Sequence, residues 1–408
     1  MSPRARVLRF VSVLAALLSI AWFGAVVWLR RALAPVEARL VEDVAACLPQ
    51  RLERKGWVDP PEPGWFGAEL PDALAALREP LKKGLGPTLH GEAPGARRLR
   101  EEVEAGTRPL SALPPPWPEA LDEGRAGLRA LLLASRAAQG GVPEALGVLG
   151  DPRDPLLADA WPLLRGAGIL AALEVRRQLD EGAVPGAVAT CLDALAVGRE
   201  LSNSGAVIGR MVAVGSALEL VPPCAQALGR ATPSDRELAA SALALLRAGT
   251  PSFPALMKRD GTGAQLQLFG GVASEPTQTR LPAWVRTRPG GAESGSLFVA
   301  RERLLLEHAW VRWSTWSAAL LAAANDPALL AQAAAALDAE RSASRNPLLR
   351  EAALPDWPRV ERRHRDGLAL LDLLIEAARG SSTRTLTHAL LARGDDEPDQ
   401  VVIQVRAR

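Results

Sequence analysis

Tyrosine is absent from the 408 residues, and lysine, isoleucine and asparagine occur only four, five and three times. Aromatic and β-branched residues are the ones that half-buried, pleated surfaces favour, so their thin supply argues against an all-β fold. The three cysteines, Cys47, Cys191 and Cys224, are too few and too scattered for a disulfide framework. No C-x-x-C pair and no Cys/His spacing suits zinc, so no structural metal is expected. An excess of one charge is also missing, since 48 basic side chains face 46 acidic ones. A nucleic-acid partner, which calls for a basic surplus gathered on one face, is therefore not expected.

Catalytic signatures are missing as well. There is no H-E-x-x-H, no G-x-S-x-G, no Walker loop and no dinucleotide fingerprint. Glu361-x-x-His364 is half of a carboxylate-bridged di-iron pattern, but no second copy exists. His364-Arg365-Asp366 imitates the kinase catalytic triplet, yet Leu371 stands where the metal-binding asparagine belongs. The chain is read as non-enzymatic, with no catalytic residue, metal or cofactor.

What is present points to helix. Alanine, leucine and arginine, which lead the helix-propensity order, dominate the chain. The expected fold is mainly α, an N-terminal transmembrane helix followed by an antiparallel helical-hairpin stack or bundle. Residues Phe10 to Leu29 form twenty apolar or small residues without a charge, flanked by Arg4, Arg6 and Arg9 and by Arg30 and Arg31. Such a helix rises ~30 Å, the thickness of the hydrocarbon core. A cleaved signal is the rival reading, with Ala32-Leu33-Ala34 as its site, but the run exceeds the ~7 to 15 residues of a signal h-region. The expected arrangement is a signal-anchor in the inner membrane, with residues 1–9 cytoplasmic, 10–29 spanning and the bulk extracytoplasmic.

Beyond the span, Val36, Leu40, Val41, Val44, Leu48 and Leu52 recur at helical spacing, so the helix is expected to pass Pro35. Residues 30–117 read as a stalk helix and a Pro-rich segment that wraps rather than forming a core. Residues 118–249 read as a helical-hairpin domain, with Pro222-Pro223 as a break between helices. The interval 250–296 is full of Gly and Pro and reads as a long irregular loop. Residues 297–408 read as a C-terminal helical unit, with a short strand at Val401-Val402-Ile403. Cys191 and Cys224 are expected as buried free thiols; pairing requires their Cα atoms to come within ~7 Å.

Gly182, Ala187, Ala194, Leu195 and Val197 fall where the second helix of a tetratricopeptide repeat places its turn residue, alanines and apolar residues. The match covers about 20 residues, lacks the first-helix signature and does not recur ~34 residues later. On these residues the chain resembles tetratricopeptide-like helical-hairpin proteins of the bacterial envelope. That resemblance implies a helical scaffold that binds protein.

The candidate partner or ligand residues lie at 297–324. Trp310, Trp313 and Trp316 share one arc of that helix, and Arg301, His308 and Arg312 share the opposite one. Three indoles at this spacing make either a core stripe or a binding face. The sequence is read as a membrane-anchored scaffold with an unknown protein partner. Its alternative is a ligand-binding domain or hydrolase whose pocket lies under the 250–296 loop.

Overall fold

The computed structural model describes residues 3–47, 61–86, 94–286, 297–352, 354–380, 385–390 and 399–404. Along these, the elements run α1 (Pro3–Cys47), β1 (Glu62–Trp65), α2 (Phe66–Leu85), α3 (Pro94–Glu104), α4 (Trp117–Ala134), β2 (Ala137–Gln139), α5 (Pro155–Asp180), α6 (Val184–Ser202), α7 (Val207–Arg230) and α8 (Pro233–Ala248). They continue as α9 (Phe253–Phe269), α10 (Glu275–Gln278), α11 (Ala283–Arg286), α12 (Leu297–Ala323), α13 (Pro327–Ala343), α14 (Pro347–Arg350), α15 (Trp357–Ala378), β3 (Thr385–Leu390) and β4 (Asp399–Gln404). The protein is mainly helical and begins with a long apolar helix, as its composition implies. Many helix starts follow one local rule. Asp154, Thr232, Asp326 and Asp356 accept backbone N–H groups of the first turn, and a proline follows each at the first or second helical position, where its missing N–H costs nothing.

The chain divides into two compact units, one of residues Met1–Leu48 and Gly261–Pro355, the other of Pro49–Asp260 and Asp356–Arg408. In the second unit, α7 packs against α5, α6, α15 and α3, and α2 packs against α4 and α5. The core holds Leu70, Leu74, Leu77 and Leu81 of α2, Leu170 and Leu173 of α5, Leu220 and Val221 of α7, and Leu370 and Leu374 of α15. Two small sheets complete it: β1 pairs parallel with β2, and β3 pairs antiparallel with β4, Leu386 opposite Ile403. The strand expected at 401–403 lies in β4.

Several expectations are corrected here. The segment 66–85 does not merely wrap; its apolar residues recur at helical spacing and are fully buried in the core. Residues 250–296 are not one irregular loop. Phe253, Leu256, Met257, Leu266 and Phe269 are buried along α9, and Gly261 and Gly263 sit inside that helix. Each glycine costs about 1 kcal/mol against alanine, less than burying one large apolar side chain gains. Pro222 and Pro223 do not separate two helices either; both lie inside α7. There Val221, Cys224 and Ala227 are completely enclosed by neighbouring helices, and that packing outweighs the lost backbone bonds. Residues 297–408 are not one unit, because α15 packs on α7 and α8. Cys191 and Cys224 are not free thiols. Their Cα atoms stand 5.7 Å apart and a disulfide joins α6 to α7.

Candidate functional site

The site is built on α1, because that helix changes environment along its length. Leu17, Ile20 and Phe23 are 58%, 68% and 70% exposed, and residues 12–25 have no buried member. From Leu29 onward the helix acquires a packed face of Leu29, Leu33, Leu40, Val41 and Val44. Leu29, Leu33, Leu40 and Val44 recur at intervals of four and seven, with Val41 beside Leu40, the spacing of one helical stripe, and the helix lies against α12 and α10 of the same unit. The helix is thus long and apolar enough to cross a membrane before its packed half begins. Helix α7 satisfies the same length and apolarity test, but it is a buried core helix.

One polar side chain on the packed face fixes its register. Glu37, 8% exposed, accepts the backbone N–H of Ser274 at 2.8 Å and the Thr277 hydroxyl at 2.9 Å, and the Ser274 hydroxyl also donates to it. Ser274 precedes the first residue of α10, so the carboxylate lies at a helix start, where free N–H groups favour an anion. Hydrogen bonds to a charged group contribute ~1.5 to 3 kcal/mol. Glu37→Ala is therefore expected to speed amide exchange at Ser274 by more than about tenfold, measured by hydrogen exchange of the full-length protein. Unchanged exchange would show that the clasp is not formed.

Next to this stripe lie the residues singled out in sequence. Trp310 is completely buried, and Trp313 and Trp316 are nearly so. Trp310 stacks on Phe269 with ring centroids 5.9 Å apart and donates its Nε1–H to Gln265 Oε1 at 3.1 Å. Phe269 meets Trp313 edge-on at 6.1 Å. The three indoles are core, not an exposed binding face. Arg312 pairs with Glu340 of α13 at 3.0 Å, which accounts for its position without a ligand. His308 Nδ1 lies 3.3 Å from Asn346 Nδ2. Burial, with a smaller push from the Arg312 charge, lowers its pKa, so His308 is neutral at neutral pH and supplies no positive charge for an anion. Arg301 is exposed on the same helix. The structure brings Trp310 and Trp313 together with Phe269, buries Trp316 on the same helix, and leaves Arg301 and Arg312 exposed and His308 half-buried.

No family model, curated protein or solved structure matches this chain. The site's meaning rests on its own geometry.

Sequence reasoning singled out His364 but missed the other buried polar groups of the second unit, which are spread over helices distant in the chain. Arg136 grips both oxygens of Asp193 at 2.7 to 3.1 Å. Burial still raises the Asp193 carboxyl to about 6, against the pull of Arg136. Arg100, beneath the Trp117 ring, pairs with Glu104 and reaches Glu219 at 3.5 Å. Burial and the Glu219 charge hold Glu104 well above the usual carboxylate range. Among the described residues no three His, Cys, Asp or Glu side chains gather as a metal site would require.

His364 is the third such group, on the inner face of α15. Its Nδ1 accepts from Arg210 Nε at 3.1 Å and its ring lies 5.9 Å from that of Phe253. Burial, reinforced by the Arg210 charge, lowers its pKa to about 3. An unfolded histidine titrates near 6.5, so below that pH the unfolded chain binds a proton that the folded one refuses. The stabilisation is complete above pH 6.5 and is lost progressively as pH falls from 6.5 towards 3. At pH 5.5 the loss is about 1.4 kcal/mol. Denaturant unfolding at pH 7.5 and 5.5 is expected to show it, and His364→Asn, which retains an acceptor, is expected to remove it. An equal pH slope in the two proteins would refute the assignment.

Proposed function

We propose that this protein is a single-pass, membrane-anchored helical scaffold that binds another protein outside the cytoplasm. The observation that carries the reading is α1: one uninterrupted helix, apolar and exposed over residues 12–25, then packed and clasped through Glu37. A bare apolar surface of that length is stable only when hydrocarbon or another helix covers it. The same helix supports an anchor over a cleaved signal, because cutting after Ala34 would remove the buried Leu29 and Leu33 from their packing.

The disulfide between Cys191 and Cys224 supports the extracytoplasmic side, since such bonds persist in oxidising compartments. With the body there, residues 1–9 face the cytoplasm across the inner membrane of a bacterial cell. The antiparallel hairpin stack and its tetratricopeptide-like character belong to this reading. Short connections support them, such as the four residues 203–206 between α6 and α7, which lie against each other. Partner binding is favoured over the ligand-pocket alternative because α9 occupies the place of the expected lid. Its Phe269 fills the space beside Trp310 that a pocket would need.

Protease treatment of intact spheroplasts expressing the full chain tests both halves of the reading. Digestion of the body from outside, with a stoichiometric cross-linked partner recovered on α1-containing chains, is the expected result. Protection of the body would overturn the orientation. External digestion with no partner at any cross-linker length would overturn the scaffold role.

A further inference from the structure

Arg210, on the second turn of α7, is 4% exposed. It donates to His364 Nδ1 at 3.1 Å, to the His364 carbonyl at 3.0 Å and to Ser202 Oγ at 3.2 Å. All three acceptors are neutral. A guanidinium has five N–H donors, so two remain, and no carboxylate faces it among the described residues. Nor does burial neutralise it, because the pKa falls only to about 10. A buried charge without a counter-charge is strongly unfavourable, and folded proteins resolve it by pairing.

A small, partly open cavity lies against this arginine. It has a volume of about 20 Å³, enough for one water-sized occupant. Arg199, Ser216 and Thr250 line it together with Arg210, and Ala213, Leu220 and Leu371 supply apolar wall. Arg199 pairs with Glu200, but its Nη2, fully buried, lacks a well-directed hydrogen-bond acceptor. Two guanidinium groups and the hydroxyl of Ser216 thus border a space with no acid side chain in its lining among the described residues. A water there would satisfy donors and leave the Arg210 charge unmatched.

We propose that this cavity is a site for one monatomic anion of the chloride class, bound as the counter-ion of Arg210. A monatomic ion matches its small volume, and its apolar wall suits a weakly hydrated halide. The ion would lie among residues of α6, α7, α8 and α15.

The test is chloride dependence of unfolding for the full-length protein in detergent, at fixed ionic strength with gluconate as the replacing anion. Above the dissociation constant, each tenfold rise in chloride is expected to raise the folded-to-unfolded ratio about tenfold, the slope for one ion. Arg210→Met is expected to abolish that slope. A flat response of the wild-type protein, or the same slope in the variant, would overturn the proposal. If Arg210→Met does not fold, crystals of the wild-type protein grown in bromide decide: an anomalous peak in the cavity supports the site, and water density alone refutes it.

Discussion

Replacing Cys191 and Cys224 together by alanine is expected to lower the stability of the second unit by about 3 to 4 kcal/mol. The bond closes a loop of 33 residues, and in the chain-entropy account such a closure removes about that much freedom from the unfolded ensemble. The effect is reinforced by position. Cys224 follows Pro222 and Pro223 directly, and those prolines deprive α7 of two backbone donors where it needs holding. Cys191 lies in α6, 3% exposed, and Cys224 is completely buried, so the linkage fastens two core helices to each other. Thermal unfolding with and without reductant checks this directly. The reduced wild-type protein and the double variant are expected to melt together, below the oxidised protein. Coincident curves for all three would show that the two sulfurs are not bonded in solution. The same experiment bears on the proposed topology, because disulfides persist in oxidising compartments.

The second large effect is expected at Trp310. Removing a fully buried indole costs roughly 3 to 5 kcal/mol, and Trp310→Ala also strands Gln265 Oε1, its hydrogen-bond acceptor. Trp310→Phe retains the ring stack on Phe269 and is expected to lose less than half as much. Arg312→Ala, which breaks only the half-exposed pair with Glu340, is expected to cost under about 1 kcal/mol. Denaturant unfolding of the three variants, read by circular dichroism, separates a core stripe from a binding face. A binding face would leave stability unchanged in Trp310→Ala while abolishing partner capture. A core stripe lowers stability first, and loss of binding follows only from unfolding.

Both predictions concern groups that the amino-acid order places on helices but does not place together. In α12 the interval of three between Trp310, Trp313 and Trp316 defines the arc, and it could be read without a structure. Whether that arc faces solvent or Phe269 depends on α9, a helix that Gly261 and Gly263 conceal. Local propensity and tertiary burial disagree there, and burial prevails because several large side chains outweigh two glycines. The same disagreement hides the continuity of α7 through Pro222 and Pro223. It also hides the partition of α15, whose apolar stripe is plain in sequence but whose partners, α7 and α8, lie more than a hundred residues upstream.

The sequence by itself determined the helical character, the apolar span at Phe10–Leu29, the helix continuing past Pro35 and the strand near Val401. Each of these follows from propensity or from a period within one segment, so neighbours along the chain carry the information. Only the tertiary structure decided that Cys191 meets Cys224, that Glu37 is clasped by Ser274 and Thr277, and that Arg210 lies buried beside His364 with no acid facing it among the described residues. Those facts depend on distances between segments far apart in the chain, which no local period encodes.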